Sequence, residues 1–173
     1  MWKWNKRDPF VENWYYHIYN RWFNKVTIFN NRLCFERFYL IIIKYLKEYE
    51  HIKMVSYSFL PNHFHFIIRN CENGTGTQIS EFMKKIQWAY CRWHRINFPL
   101  DIGTKLPFFE WRFKAKYIET EQYLEQCLAY VNFNPLKHNL VKNIQDYKWT
   151  SYHQLDTKKI IKYKNLILSE LEF

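Results

Sequence analysis

Two short stretches of this chain hold side chains whose types and spacing could do chemistry. In Pro61-Asn62-His63-Phe64-His65-Phe66-Ile67-Ile68, two histidines stand two residues apart in a β-favouring run. Alternate residues of a strand share a face, so both imidazoles point one way while Phe64, Phe66 and Ile68 point into a core. Two imidazoles on one face can bind one cation; the pattern equally describes polar histidines on a solvated face. In Tyr130-Val131-Asn132-Phe133-Asn134, Tyr130 and Asn134 lie one helical turn apart, about 40° around the axis. They flank the apolar stripe of Leu124, Leu128 and Val131. That edge suits a half-exposed site, and it suits equally a packed tyrosine followed by a capping asparagine.

The elements that must position these groups follow from periodicity and breaks. Trp14–Tyr19 is aromatic and reads as a first strand, and Phe35–Tyr49 has helical spacing at Phe35, Phe38, Tyr39, Ile42 and Leu46. Ile52–Leu60 and His63–Arg69 read as antiparallel strands around a break at Pro61-Asn62, and 71–77, with Asn73, Gly74 and Gly76, as a loop. From Ile79 the residues Ile79, Phe82, Met83, Ile86 and Tyr90 make one apolar helical stripe, with Lys84, Lys85, Arg92 and Arg95 largely on other faces and Ser80 as a candidate cap. The segment 99–107 reads as an irregular connection, Phe109–Ile118 as a strand, and Glu121–Phe133 as a helix expected to stop near Asn134 because Pro135 follows. Lys158–Leu171 is a basic, apolar-periodic terminal helix. The order βαββαβα predicts an α+β fold: a ferredoxin-like, RRM-like antiparallel sheet with helices packed on one face and the other face or an edge free for ligands.

Composition bounds the function. The 173 residues include 26 Lys plus Arg against 16 Asp plus Glu, a formal charge of +10, and 21% are aromatic. A chain so aromatic, with three Gly and five Pro, is neither disordered nor collagen-like, and it fits one domain over 1–173. Basic residues interleaved with rings suit a nucleic acid, whose phosphates take the charges while unpaired bases stack; the plainer alternative is that the charges only solvate an aromatic core. No run is long enough to span a membrane and the start lacks a signal-peptide pattern, so a soluble, cytoplasmic protein is expected, nucleoid-associated when bound to DNA. Four cysteines without a CxxC pair read as reduced core thiols.

The segment PNHFHFII resembles the histidine-hydrophobic-histidine (HUH) motif of single-tyrosine transposases, in particular the REP-associated tyrosine transposases and their relatives of the insertion-sequence-200 type. Three further segments match in order: Tyr16-His17-Ile18-Tyr19-Asn20-Arg21, Phe109-Glu110-Trp111-Arg112-Phe113-Lys114, and Tyr130 to His138 followed by Tyr147-Lys148-Trp149-Thr150-Ser151-Tyr152. The resemblance covers about residues 15–155 and leaves 156–173 as an extra basic helix. It departs at Trp22, where the family often has a small residue.

The resemblance implies an HUH endonuclease fold in which His63 and His65 are metal ligands, Asn134 takes the third protein-ligand place and Tyr130 is the DNA-cleaving nucleophile. The implied cofactor is Mg2+ or Mn2+, which suits two imidazoles and a hard amide oxygen better than a structural zinc with no thiolate nearby. The implied reaction is reversible cleavage of single-stranded DNA beside a hairpin, through a 5′-phosphotyrosine with a free 3′-hydroxyl. Arg21, Arg69, Lys84, Lys85, Arg92, Arg112, Lys114, Lys116 and Lys137 are candidates for phosphate contacts, and Trp88 or Trp93 for base stacking. A homodimer is a possible assembly, since some relatives exchange catalytic helices. The alternatives are an inactive or domesticated module that binds structured DNA without cutting it, and an RNA-binding domain.

Overall fold

The computed structural model describes residues 10–98, 108–110 and 112–171, with side chains to residue 167. The expected connection 99–107 lies outside the described residues. The first strand, β1 (Trp14–Arg21), runs two residues beyond the expected end and so carries Arg21 into the sheet. Helix α1 (Arg32–Leu46) starts three residues before its expected boundary because the Asn31 side chain accepts from the backbone N–H of Cys34 at 3.1 Å, a capping bond that turns the chain into the helix early. It buries Cys34, Phe35, Phe38, Ile41 and Ile42. Strands β2 (Ile52–Leu60) and β3 (His63–Asn70) form the expected hairpin, with a bulge between Met54 and Ser56.

Helix α2 (Gln78–Asn97) buries the Ile79, Phe82, Met83, Ile86 and Tyr90 stripe and adds His94. Its N-cap is Thr77, so Ser80 stands inside the first turn instead of capping it. Strand β4 is shorter than expected, Lys114–Ile118. Phe109, half-buried, makes one isolated bridge to Trp22, its ring stacked on that indole at 3.9 Å, while the adjacent Phe108 is buried. Two neighbouring rings that both pack inward break the alternation a strand requires.

Helix α3 (Glu121–Lys137) is capped by Thr120, whose side chain accepts from the Tyr123 N–H at 3.1 Å. It passes through Pro135 and ends four residues beyond Phe133. A proline in the last turn deletes a single intrahelical donor, and the end is secured beyond it: the His138 N–H bonds the Asn134 carbonyl at 3.1 Å, and Asn139 takes a left-handed φ of 53°. The terminal helix α4 (Thr157–Leu171) matches its expected span and packs on α3 through a cluster of Ala129, Phe133, Tyr152, Tyr163 and Ile167.

The strand order is β2-β3-β1-β4 with every pairing antiparallel. This is the expected α+β, ferredoxin-like sheet. Helices α1 and α2 bury one face against Ile18, Phe59, Phe64, Phe66 and Ile68. The opposite face is not left bare. Ile67 and Ile118 are apolar on that side, and α3 crosses to cover them with Cys127 and Val131. The end of that face bearing the histidines borders a cavity. All four cysteines are free; Cys34 and Cys127 are buried, whereas Cys71 and Cys91 are only half-buried.

Candidate active site

The β1–β3 register builds the site. Arg21 pairs with His63, Tyr19 with His65 and His17 with Ile67, so residues 17, 19 and 21 share the face of the two motif histidines. His17 sits diagonally across from His65, and its Nε2 lies 2.9 Å from His65 Nδ1. On the other side, His63 Nδ1 lies 2.6 Å from Asn62 Oδ1. The rings of His63 and His65 are 5.2 Å apart, and Tyr19 stacks on His65 at 5.6 Å.

Helix α3 delivers the remaining groups. The Tyr130 ring stands edge-on to His65 at 5.4 Å and to His17 at 5.9 Å, with Lys137 Nζ over it at 5.1 Å. His138, two turns beyond Tyr130, contacts the His63 ring at 5.0 Å. Tyr130, His138, His17, His63 and His65 surround a cavity of about 500 Å3 that is also walled by Arg21, Glu110, Arg112, Lys114 and Lys116. Tyr130 and the two motif histidines, some 65 positions apart, therefore open on one cavity.

Burial in a cationic surround keeps the imidazoles neutral. Desolvation, aided by Lys116, pushes His17 down to about 4. Desolvation, with His138 and Arg21 beside it, does the same to His63, also to about 4. His65 is held well below the usual histidine value by burial and then by its neighbours His17, His63, His138 and Arg21. A neutral imidazole retains a lone pair, which metal ligation requires. Burial likewise raises the Tyr19 phenol, with Tyr130 adding to the effect.

This protonation state has a consequence for stability. In the unfolded chain the same histidines titrate near 6.5, so between about pH 6.5 and about pH 4 the unfolded state holds more protons than the folded one. Stability is therefore present above the unfolded value and falls as the pH is lowered through that window. Urea denaturation in chelator-treated buffer is expected to lose roughly 5 kcal/mol between pH 7 and pH 4.5, and His17→Phe is expected to remove about half of that slope.

Asn134 is fully buried, and neither its Oδ1 nor its Nδ2 has a hydrogen-bond partner. An orphaned buried amide is costly unless a ligand completes it, so this residue fits the place of a metal-binding oxygen. It does not line the cavity, whereas His138, one turn further along α3, does. Among the described residues no group of three His, Cys, Asp or Glu side chains is arranged to hold a metal ion.

The basic candidates divide by location. Arg21, Arg112, Lys114 and Lys116 wall the cavity, and Lys137 lies over the nucleophile candidate. Lys84 and Arg112 border a second cavity beside α2. Lys85 is paired with Glu48 at 3.2 Å, Arg92 lies over the 61% exposed Trp88, and Arg69 lies over Tyr15 near the far end of β3. Trp93 packs against the core beneath Arg37. Sequence reasoning assigned no role to His17 or His138. The first could have been found from its period-2 spacing with Tyr19 and Arg21, the second from helical spacing with Tyr130 and Asn134, had the helix been carried past Pro135.

No curated protein matches the chain. Among solved structures, a REP-associated tyrosine transposase bound to a REP hairpin superposes with a TM-score of 0.68 at 16% identity, covering 87% of this chain and 83% of that one. A crystal structure of a protein from Deinococcus radiodurans R1, provisionally assigned as a transposase, aligns with a TM-score of 0.48 at 13% identity over 78% of this chain and 96% of that one. The first likeness establishes a shared fold. The family model for IS200-like transposases matches residues 10–134, spanning the whole sheet and α3 as far as Asn134. The chain belongs to the IS200-like transposase family.

Proposed function

We propose that this protein cuts and rejoins single-stranded DNA next to a hairpin, with Tyr130 as nucleophile and with His63, His65 and Asn134 holding Mg2+ or Mn2+. The carrying observation is the edge-on contact of Tyr130 with His65 at the mouth of a cavity walled by four basic side chains, Arg21, Arg112, Lys114 and Lys116. When bound, the ion supplies Lewis-acid polarisation of a phosphate oxygen.

The chain's own residues do the rest. The basic wall binds and orients the phosphodiester, whose charge these side chains complement. Tyr130 Oη forms a bond to phosphorus as the bond from phosphorus to the 3′ oxygen breaks. The phenolic proton is released, and the departing oxygen takes up a proton to become a 3′-hydroxyl. Attack by another 3′-hydroxyl reverses the step and expels the phenol, a better leaving group than an alkoxide. Lys84, Lys85 and Arg92 lie beside or on the α1–α2 face and would meet a hairpin stem, not the scissile phosphate. The hairpin itself is supported by the ligand of the solved structure that shares this fold. We read 1–173 as one transposase-like unit with α4 as an added helix, and among the described residues no helix is long and apolar enough to cross a membrane.

The test is covalent capture. A hairpin-flanked strand labelled at its 3′ end, incubated with protein and Mn2+, is expected to give a detergent-resistant adduct, because a 5′-phosphotyrosine retains the downstream fragment. Chelation is expected to abolish the adduct and added Mn2+ to restore it. An adduct indifferent to chelator would reject the metal role, and no adduct under any condition would reject cleavage.

A further inference from the structure

The proposed metal-holding role leaves open which nitrogen of each motif imidazole carries the lone pair, and the hydrogen bonds around the pair address this. At His63 the choice follows from Asn62. The Asn62 amide Nδ2 donates to the Lys25 carbonyl at 3.2 Å, which turns Oδ1 toward His63 Nδ1 at 2.6 Å. An amide oxygen only accepts, so Nδ1 of His63 carries the proton and Nε2 the lone pair.

The Lys25 carbonyl is itself held by an unusual turn. Asn24 and Lys25 both adopt left-handed backbone, φ 53° and 56°, although neither is glycine. Such strain persists where the surroundings over-determine it. Here the Trp22 N–H bonds the Asn62 carbonyl at 2.9 Å, and the Ile28 N–H bonds the Pro61 carbonyl at 3.0 Å. The 22–29 loop thus clamps the Pro61-Asn62 turn immediately before His63.

His65 has a different partner in the same role. Its Nδ1 is occupied by His17 Nε2 at 2.9 Å, and both rings are buried. With Nδ1 taken, Nε2 is the nitrogen left to ligate, and it can do so only if His17 accepts the proton of His65 Nδ1.

We infer that Asn62 and His17 are positioning residues, each fixing the orientation and tautomer of one motif imidazole so that both carry their lone pair on Nε2. The inference rests on the metal-holding reading, but it has a readout of its own. Long-range 1H–15N NMR of the histidine side chains, in the presence of Mg2+, is expected to find His63 and His65 both protonated on Nδ1. Mn2+ affinity is the second readout. Asn62→Ala and His17→Phe, the latter keeping a ring against Tyr19 and Tyr130, are each expected to weaken Mn2+ binding about 10- to 100-fold. His17→Gln, which keeps an acceptor within reach, is expected to stay within about threefold of the unaltered protein. Thermal melts without metal separate this effect from misfolding.

A proton on Nε2 of either imidazole, or His17→Phe binding Mn2+ as tightly as the unaltered protein, overturns the inference and leaves the metal reading standing. His17→Gln as weak as His17→Phe overturns the acceptor role. An unaltered protein that binds no Mn2+ overturns the metal reading, and with it the purpose assigned to this pair.

Discussion

Tyr130→Phe is expected to eliminate the DNA adduct while leaving the fold and hairpin affinity close to unchanged. The substitution removes one oxygen. The ring that stands edge-on to His65 and His17 and lies beneath Lys137 is retained, so the packing of α3 on the sheet has no reason to change. Without Oη no bond to phosphorus can form, and the loss should exceed about 1,000-fold, since water is the only remaining nucleophile and produces no covalent product. Gel detection of the 3′-labelled adduct measures the loss; fluorescence anisotropy with the same hairpin, expected within about twofold of the unaltered protein, is the control. A persistent adduct would move the nucleophile elsewhere. Hairpin binding by the unaltered protein without any adduct would make this chain a DNA-binding relative that no longer cuts.

Asn132→Ala is expected to be the costlier change for the fold, although it lies outside the proposed chemistry. Asn132 is fully buried on the sheet side of α3. Its Nδ2 donates to Ser56 Oγ at 3.1 Å and to the Leu128 carbonyl at 2.8 Å, and its Oδ1 accepts from Ser151 Oγ at 2.7 Å. Thr150 Oγ1 donates to its main-chain carbonyl at 3.1 Å. The network ties the tyrosine helix to β2 and to the 147–152 segment at once, and Ser151 Oγ also accepts from the Tyr57 N–H at 3.0 Å. Truncation leaves buried hydroxyls short of partners beside a small void. We expect a loss of about 3 kcal/mol, or roughly 6–12 °C in Tm, measured by calorimetry. Because Tyr130 stands two residues earlier on the same helix, the adduct should also form more slowly at saturating DNA. A Tm within about 1 °C of the unaltered protein would show that the network does not hold the helix.

The two substitutions separate what a helix carries from what holds it in place, and the sequence disclosed these to different degrees. Tyr130 and Asn134 share a face by helical period, and His63 and His65 by strand period, whatever the rest of the chain does. The element order was equally legible, because the apolar stripes of α1 and α2 and the break at Pro61-Asn62 are local patterns. The Tyr147 to Tyr152 segment could be matched to the family, yet its task was not visible. Its partners, Ser56, Tyr57 and Asn132, are distant in the chain. The end of α3 was misjudged for a related reason. The preference of a pre-proline residue against helix is weak in a last turn, where the left-handed Asn139 and a bond back to the Asn134 carbonyl complete the cap.

By itself, then, the sequence determined the α+β order, the family, and which candidate side chains share a face, since each is written in backbone periods of two and 3.6 or in short contiguous motifs. Tertiary structure alone decided that His17 meets His65, that His138 reaches His63, and that α3 roofs the second face of the sheet while Tyr130 stays at the cavity. Those contacts depend on strand register and on how one layer settles on another. Both are set by the sum of many weak packing terms between residues far apart in the chain, and no local window of sequence contains that sum.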